Sequence, residues 1–175
     1  MTSKRSAQEY FREVYEEVFP IAVRVAYRIT NDIEVAEELC HEAFIKYLDR
    51  METIPDTQQA KYWIIRVVKN LSLNNQKRLG REAAANQRAY FEPAQASETG
   101  EVSYLKLEAK SHVQQALAAL PEKLRVVLVM KEYGEMSYKE IGSVLGISET
   151  NVKVRAHRAR EKLAQYLDGG DVYVP

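Results

Sequence analysis

The sequence predicts an all-α protein made of two small helical domains joined by a flexible linker, the C-terminal one a helix-turn-helix. Apolar residues recur three and four positions apart through most of the 175 residues, and the alternating pattern of β-strands is scarce. Residues 81–101 interrupt the helical pattern and are rich in Ala, Gln, Glu and Ser, a composition typical of linkers. We therefore expect domains at residues 1–81 and 105–175, with a linker at residues 82–104.

Two helices are expected in the first 50 residues. The first carries apolar side chains on one face over residues 10–30, and Pro20 predicts a kink or a break near Phe19 because proline lacks a backbone N–H. Asp32 suits the N-cap of a second helix that reaches about Arg50. The residues expected to face inward from this second helix are Val35, Ala36, Leu39, Ala43, Phe44 and Leu48.

A third helix is expected from about residue 58 to about residue 78, after a loop at residues 53–57. Gly80 should end this helix, because glycine readily adopts the positive φ of a helix terminus. Beyond the linker the apolar spacing resumes. Pro121 suits the first turn of a later helix, since its fixed φ is already helical.

Residues 137–163 are typical of a helix-turn-helix. Ser137 and Glu140 form a capping-box pattern, Gly146 allows a sharp exit from the first helix, and Ser148 can cap the second. The second helix combines a stripe of apolar residues with an outer face that is basic and polar, which suits the DNA major groove. The alternative is a helical hairpin with a solvated basic face. The stripe consists of Val152, Ala156, Ala159, Leu163 and Leu167, and the outward cations are Lys153, Arg155, Arg158, Arg160 and Lys162.

Charge is sorted along the chain, although 25 basic and 25 acidic residues cancel in total. Residues 1–60 hold 12 acidic and 7 basic side chains, whereas residues 61–81 hold 6 basic and no acidic ones. This asymmetry indicates one surface for a basic protein partner and another for phosphates. No apolar run approaches the ~20 residues that span a bilayer, and no secretory signal begins the sequence. We expect a cytoplasmic protein with no membrane insertion.

Catalytic chemistry is not indicated. There is no nucleophile–base constellation and no glycine-rich phosphate loop, so neither an enzyme nor a cofactor is expected. Cys40 is the only cysteine, which excludes an intramolecular disulfide. His41 stands beside it, but adjacent helical residues point about 100° apart and no second pair of ligands is near in sequence. We therefore expect no metal site.

A basic and aromatic helix at residues 62–78 has the mixture that single-stranded DNA requires. Cations can follow the phosphates, flat side chains can stabilise unstacked bases, and amides can bond base edges. Trp63 is expected to lie in the core, which leaves Tyr62 as the aromatic for DNA contact. The candidate DNA-contacting residues here are Lys61, Tyr62, Arg66, Lys69, Asn70, Asn74, Lys77 and Arg78.

Three stretches, in order and spacing, resemble the extracytoplasmic-function group of RNA polymerase sigma factors. They are DIEVAEELCHEAFIKY (residues 32–47), YWIIRVVKNLSLNNQKR (residues 62–78) and the helix-turn-helix. The resemblance implies a region 2 domain at residues 1–81 and a region 4 domain at residues 105–175. It implies a subunit that docks on RNA polymerase core, recognises the −10 and −35 elements of promoter DNA and aids DNA opening. It also implies an anti-sigma protein as a partner.

The resemblance also assigns roles to individual residues. The helix at residues 62–78 corresponds to the −10 recognition and melting helix, and the loop before it to a loop that captures a flipped base. The residues implied to bind core polymerase are Glu34, Glu37, Glu38, Leu39, Glu42 and Phe44. Those implied to contact the −35 element are Ser148, Glu149, Thr150, Asn151, Lys153, Val154, Arg155 and Arg158.

The recognition helix departs from the family at two positions. The family often reads Gly-Thr-Val-Lys-Ser-Arg where this chain reads Thr-Asn-Val-Lys-Val-Arg at residues 150–155. The amide of Asn151 could read adenine, and the methyl groups of Val154 could touch thymine. Arg155 and Arg158 are candidates for phosphate or guanine contact.

Two other functions are compatible with parts of the sequence. A helix-turn-helix regulator that binds duplex DNA without polymerase would not need the acidic helix or the basic aromatic helix. A helical protein-interaction module would not need the basic face of the last helix. Under the sigma-factor interpretation, the linker could let the two domains pack together when they are off DNA.

Overall fold

The computed structural model describes residues 6–87 and 104–168, with side chains placed over residues 6–86 and 112–168. Regular structure in these residues is helical throughout, which confirms the all-α prediction. A short 3-10 turn lies at Met51–Thr53. The α-helices are α1 Ala7–Thr30, α2 Ile33–Leu48, α3 Thr57–Gln87, α4 Tyr104–Ala119, α5 Glu122–Glu132, α6 Tyr138–Leu145 and α7 Glu149–Leu167.

Helix α1 continues through Pro20, so of the kink or break expected near Phe19 the break does not occur. Buried residues lie on both sides of the proline, among them Val18 and Ile21. Their packing outweighs the cost of a proline inside a helix, about 3 kcal/mol. The helix ends instead at Asn31, whose φ of 60° is left-handed.

The sequence predicted the start of α2 correctly but not the end of α3. Asp32 caps α2 as expected, since its Oδ1 accepts a hydrogen bond from the Val35 N–H at 3.1 Å. Helix α3 does not end at Gly80 but runs seven residues further. Arg81 Nε donates to the Lys77 carbonyl at 3.2 Å across the glycine. Such local interactions hold the helix through a residue that costs only about 1 kcal/mol relative to alanine.

Helices α1, α2 and α3 pack around a core of their own. An aromatic group fills the space between α1 and α2, where Phe44 meets Tyr15 at 4.9 Å and Phe11 at 6.2 Å between ring centroids. Burying aromatic side chains in this way is among the largest single contributions to a small core. The residues on the opposite side of α2 remain exposed.

The C-terminal helices form a second core around α7. Its stripe residues Ala159, Leu163 and Leu167 pack against Leu117 on α4 and Leu128 on α5. The N-terminal residues of the same stripe, Val152 and Ala156, are fully buried as well. All five stripe residues expected from the sequence are therefore confirmed as buried.

A third apolar cluster is shared by the two domains. Val25 and Ile29 on α1 and Ile65 on α3 pack in one cluster with Met130 on α5 and Ile141 on α6. Each of these side chains is nearly or fully removed from solvent. The two domains therefore lie against each other, with α5 and α6 covering parts of α1 and α3.

Candidate nucleic-acid interface

The helix-turn-helix is formed by α6 and α7, and its caps follow the sequence prediction. Ser137 Oγ accepts from the Glu140 N–H at 3.3 Å, and Glu140 Oε2 accepts from the Ser137 N–H at 2.6 Å. Gly146 takes the left-handed conformation, with φ 67°. Ser148 Oγ then accepts from the Asn151 N–H at 3.2 Å and begins α7. These bonds satisfy backbone groups that would otherwise lack partners at the helix ends.

Gly142 is a further requirement of this motif that the sequence reasoning missed. A Cβ at that position would lie 2.7 Å from the Ile147 carbonyl oxygen, closer than a side chain tolerates. The close approach lets the chain fold back from α6 into α7. A glycine inside an eight-residue helix was the available signal, because glycine in such a place usually marks close backbone packing.

The outer face of α7 holds the candidate −35 residues. Arg155 is half-buried, and the others are exposed: Ser148, Glu149, Thr150, Asn151, Lys153, Val154 and Arg158. Two pairs within the helix order this face. Lys153 Nζ lies 2.8 Å from Glu149 Oε1, and Arg155 Nε donates to Asn151 Oδ1 at 3.0 Å. The bond and charge of Lys153 lower the pKa of the Glu149 carboxyl.

Arg160 does not join this outward basic face, contrary to the sequence expectation. Its Nη2 lies 2.6 Å from Glu132 Oε1 on α5, and its Nη1 donates to the Tyr138 hydroxyl at 3.2 Å. The bonds to Tyr138 and Glu132 raise the pKa of its guanidinium. Arg160 thus ties α7 to α5 and α6 within the domain.

The first turns of α3 carry candidate −10 residues that contact the other domain. Lys61 is only 9% exposed, and its Nζ donates to the Glu135 carbonyl at 3.3 Å. Arg66 Nη2 donates to the Ser143 carbonyl at 3.0 Å. Lys61 is therefore covered by the helix-turn-helix domain, whereas Arg66 bonds to that domain and remains exposed.

Tyr62 also contacts the helix-turn-helix domain. Its hydroxyl donates to Glu140 on α6 and accepts from Gln58, whose Nε2 also donates to Glu140 at 3.1 Å. Burial and the bond to Glu140 raise the pKa of the Tyr62 phenol. Burial would raise the pKa of the Glu140 carboxyl, but bonds from Tyr62, Ser137 and Gln58 lower it below its ordinary value. The carboxylate is thus held ionised at the domain boundary.

A cleft lies beside this contact, between the loop after the 3-10 turn, α3 and α6. One wall belongs to the first domain and the other to the helix-turn-helix domain. The cleft is lined by Thr53, Ile54, Pro55, Gln59, Tyr62, Trp63, Arg66, Ser143 and Val144. Trp63 is also packed against the first domain's core, as expected.

The remaining −10 candidates lie further along α3. Lys69 is half-buried, and burial together with the charge of Arg66 lowers the pKa of its ammonium group. Lys77 Nζ lies 3.3 Å from Glu122 Oε2 on α5. The other three, Asn70, Asn74 and Arg78, are exposed.

Several contacts between the domains had no counterpart in the sequence analysis. Arg24 Nη2 lies 2.5 Å from Glu135 Oε1, and the Arg28 guanidinium lies 4.4 Å from the Tyr133 ring centroid. Arg125, although buried, donates to Gln76 Oε1 at 2.9 Å. The partners stand 49 to 111 positions apart in the chain, so local patterns carry no signal for them.

The candidate polymerase-binding residues on α2 divide into two groups. Glu34, Glu37, Glu38 and Glu42 are exposed on the outer arc, with Leu39 half-buried beside them. Phe44, which was also expected to bind polymerase, is only 3% exposed and packs in the aromatic group between α1 and α2.

Leu48 on α2 was expected to face inward, and this prediction is wrong because its side chain is 49% exposed. Ile45 is 64% exposed and was not singled out from the sequence. Ile45 follows Glu38 by seven residues, and this spacing on a helix was the available signal. The acidic arc thus has exposed apolar residues next to it.

Cys40 and His41 do not converge on a common site. Cys40 is fully buried, and burial with the nearby Glu37 charge raises the pKa of its thiol to about 12. His41 is exposed and lies 3.4 Å from the Tyr15 hydroxyl. Over residues 6–87 and 104–168, no cluster of three or more His, Cys, Asp or Glu could hold a metal ion. No helix in the same residues is long and apolar enough to cross a membrane.

Comparisons with known proteins give one consistent result. Residues 14–82 match the family Sigma-70 region 2, and residues 112–163 match the family Sigma-70, region 4. The ECF RNA polymerase sigma factor SigW of Bacillus subtilis is 27% identical over 172 residues, 94% of this chain and 92% of its own length. The RNA polymerase sigma factor YlaC of the same bacterium is 26% identical over 176 residues, 95% of each chain.

A solved structure has the same fold. It is the sigma factor RpoE in complex with the anti-sigma factor NepR from Bartonella quintana. The TM-score is 0.70 at 20% identity, over 90% of this chain and 96% of that one. The helical fold of this chain is therefore found in a second protein.

Proposed function

Because the chain belongs to the extracytoplasmic-function group of sigma-70 RNA polymerase sigma factors, we propose that three of its surfaces divide the work of transcription initiation. The protein binds RNA polymerase core and directs it to specific promoters through their −10 and −35 elements. The outer face of α7 takes the −35 element, α3 with its preceding loop takes the −10 element, and the acidic arc of α2 takes polymerase.

The outer face of α7 is the observation that carries the proposal. An apolar stripe anchors the helix, and the capped N-terminus presents exposed polar and basic side chains one turn apart. The N-terminal residues of a recognition helix are those that reach base edges in the major groove. Val154, Arg155 and Arg158 are the residues we assign to this contact, with Lys153 near phosphate.

The −10 surface is assigned to α3. Tyr62 supplies a flat ring for an unstacked base, and Lys61, Arg66, Lys69 and Lys77 supply cations for the strand. On the first domain's side the cleft is walled by the loop after the 3-10 turn and by α3, and its lining includes Tyr62 and Arg66, which suit contact with an extruded base. Its far wall, however, is provided by Ser143 and Val144 of the helix-turn-helix domain.

We therefore propose that the two domains separate before the promoter is bound through both elements. Elements about 25 base pairs apart lie ~85 Å apart on duplex DNA, at ~3.4 Å per base pair. A folded body of 175 residues has a radius of gyration of only ~16 Å. The 16 residues between α3 and α4 can extend up to ~55 Å, at ~3.4 Å per residue. The 31 residues of α3 add ~46 Å at ~1.5 Å per residue, so the chain length permits this separation.

The polymerase surface is assigned to the acidic arc of α2 and the exposed apolar residues beside it. Glu34, Glu37, Glu38 and Glu42 give a dense negative surface, while Ile45 and Leu48 supply apolar contact area. Interfaces usually combine such an apolar centre with a charged rim that fixes the orientation of the partner. The matching partner surface is basic with apolar residues at its centre.

Other aspects of function follow from this assignment. The sigma factor contributes recognition and DNA opening, and RNA polymerase performs the chemistry, so the chain itself needs no catalytic group. It works in the cytoplasm, beside the polymerase. Since the RpoE structure contains an anti-sigma factor, we include a protein of that kind among the partners of this chain.

Run-off transcription tests the function directly. The full-length chain and core polymerase are incubated with a genomic DNA library, and transcripts are mapped to their start sites. We expect transcripts from a limited set of promoters that share two sequence elements. Core polymerase alone is the control. Duplex binding by the chain without any stimulation of transcription would instead support a helix-turn-helix regulator.

Domain separation has its own measurement. A fluorophore on α1 and another on α7 report the distance between the domains. We expect high energy transfer in the free protein and a marked loss on formation of the promoter complex. Unchanged transfer in a transcribing complex would contradict the proposed separation without affecting the assignment of function.

A further inference from the structure

We propose that Asn151 does not read a base itself but positions Arg155 to read a guanine in the −35 element. The inference rests on the proposed function and concerns the specificity of the same face of α7. It replaces the expectation that the Asn151 amide reads adenine.

The geometry begins at the N-terminus of α7. Ser148 Oγ accepts from the Asn151 N–H, which fixes the first turn of the helix. Asn151 and Arg155 are four residues apart and therefore lie on one side of the helix. Arg155 Nε donates to Asn151 Oδ1 at 3.0 Å. The amide oxygen of Asn151 is thus turned along the helix toward the guanidinium.

This bond decides which donors and acceptors remain for DNA. Arg155 has five N–H donors, and the bond from Nε leaves those on Nη1 and Nη2 at the end of the side chain. Guanine presents two acceptors in the major groove, O6 and N7, which match two parallel N–H donors. Adenine presents a donor beside N7, and a guanidinium has no acceptor for it. An Arg155 side chain fixed by the bond to Asn151 therefore favours guanine over adenine.

The same bond weakens the case for Asn151 as the reader of adenine. That contact needs the amide oxygen to accept from adenine N6 while the amide nitrogen donates to N7. In this structure the oxygen already accepts from Arg155. The remaining amide N–H groups can donate, but donation alone does not distinguish adenine from guanine at N7.

Lys153 and Val154 do not replace this role. Lys153 is paired with Glu149 at 2.8 Å, and an ammonium group lacks the planar fork of arginine. Val154 is 43% exposed and offers only apolar contact. An unheld arginine has many rotamers, so a fixed Nε restricts the guanidinium to fewer orientations before DNA arrives. Asn151 is in this sense a positioning residue.

Two substitutions of Asn151 separate positioning from direct reading. Asn151→Ala removes both the oxygen acceptor and the amide donors. Asn151→Asp keeps an oxygen acceptor for Arg155 and removes the amide N–H donors. An acidic residue is well tolerated in the first turn of a helix, so the aspartate variant should fold. Gln165→Ala is the matched control, since Gln165 is an exposed amide near the other end of α7.

The experiment measures competition binding of full-length holoenzyme to a promoter found by run-off transcription, with every −35 base pair substituted in turn. We expect wild type to prefer guanine at one position by about tenfold or more, as a bidentate contact provides. Arg155→Ala should abolish that preference. Asn151→Ala should reduce it about threefold or more at the same position, and Asn151→Asp should keep it while binding all promoters more weakly. Gln165→Ala should match wild type.

Three results would overturn the inference. The first is loss of an adenine preference at another position in both Asn151 variants, with the guanine preference intact. The second is an unchanged guanine preference in Asn151→Ala. The third is an unchanged preference in Arg155→Ala. Absence of any −35 preference in wild type would instead remove the proposed function, and the inference with it.

Discussion

The Tyr62 hydroxyl on α3 donates a hydrogen bond to the Glu140 carboxylate on α6, although the two residues stand 78 positions apart in the chain. Tyr62 belongs to the proposed −10 surface, and Glu140 belongs to the capping box of the helix-turn-helix. This bond therefore joins the domain that we propose binds the −10 element to the domain that we propose binds the −35 element. Its strength bears directly on how readily the two domains separate.

Tyr62→Phe should favour separation of the domains. The substitution removes only the hydroxyl and leaves the ring for base stacking and the Glu140 cap intact. A hydrogen bond to a charged, partly exposed group contributes about 1 kcal/mol, so the open population should rise about fivefold. Energy transfer between α1 and α7 measures it, with Tyr166→Phe on the exposed side of α7 as control. Equal transfer in wild type and Tyr62→Phe would count against a stabilising role for this bond.

Acidification should weaken the same contact. The pKa of Glu140 is lowered in the folded chain, so the carboxylate stabilises the fold at pH values above the ordinary carboxyl pKa of about 4.3. This stabilisation is lost as pH falls through the lowered pKa. Urea unfolding of wild type and Glu140→Gln should therefore differ near pH 6 and converge as the pH approaches 3.

The control for this pH dependence is Glu149→Gln. The pKa of Glu149 is also lowered, but the residue pairs with Lys153 on an exposed helix face. Its variant should follow wild type closely across the same pH range, because exposed pairs within a helix contribute little. Parallel curves for wild type and Glu140→Gln would contradict the role assigned to Glu140.

Alanine substitutions of two adjacent residues on α2 should affect different properties, folding stability in one case and polymerase binding in the other. Phe44→Ala removes a buried ring and should cost about 3–5 kcal/mol of folding stability. Ile45→Ala removes an exposed side chain and should change stability by less than about 0.5 kcal/mol. It should nevertheless weaken binding to core polymerase by about 1 kcal/mol or more. Urea unfolding and competition against another sigma factor measure the two effects. If the Ile45→Ala variant bound core polymerase normally, the polymerase-binding surface would have to lie elsewhere on the protein.

Replacement of Gly142 and of Gly80 by alanine should change the folding stability in opposite directions. Gly142→Ala places a methyl group 2.7 Å from the Ile147 carbonyl oxygen and should destabilise the C-terminal domain by about 1–3 kcal/mol. Gly80→Ala meets nothing within 4 Å and should stabilise α3 by about 0.5–1 kcal/mol. Thermal unfolding measures both. A stabilised Gly142→Ala would show that α6 and α7 can meet without so close an approach.

The sequence predicted well those features that depend on neighbours in the chain. The caps at Asp32, Ser137 and Ser148 and the left-handed Gly146 all follow local hydrogen-bonding rules, and each is confirmed. The buried stripe of α7 follows helical spacing in the same way. At Pro20 and Gly80 the local rules for proline and glycine predicted that a helix could end, but both helices continue through these residues.

The features that were missed depend on which helix packs against which. Phe44 and Leu48 lie four residues apart, and spacing alone placed both inward, yet only Phe44 faces α1. The covering of Lys61 by Glu135 joins residues 74 positions apart and leaves no trace in local sequence. The identities of the site residues could thus be proposed from the sequence, but their accessibility could not.

The buried state of Cys40 has a consequence for signalling. Oxidants and disulfide exchange act on accessible thiolates, and this thiol is fully buried with a pKa raised to about 12. It is the one cysteine in the sequence. Peroxide or thiol stress therefore has no sulfhydryl to modify on the folded surface. If the regulon of this factor responds to oxidative stress, the response does not begin at an exposed thiol of the folded chain.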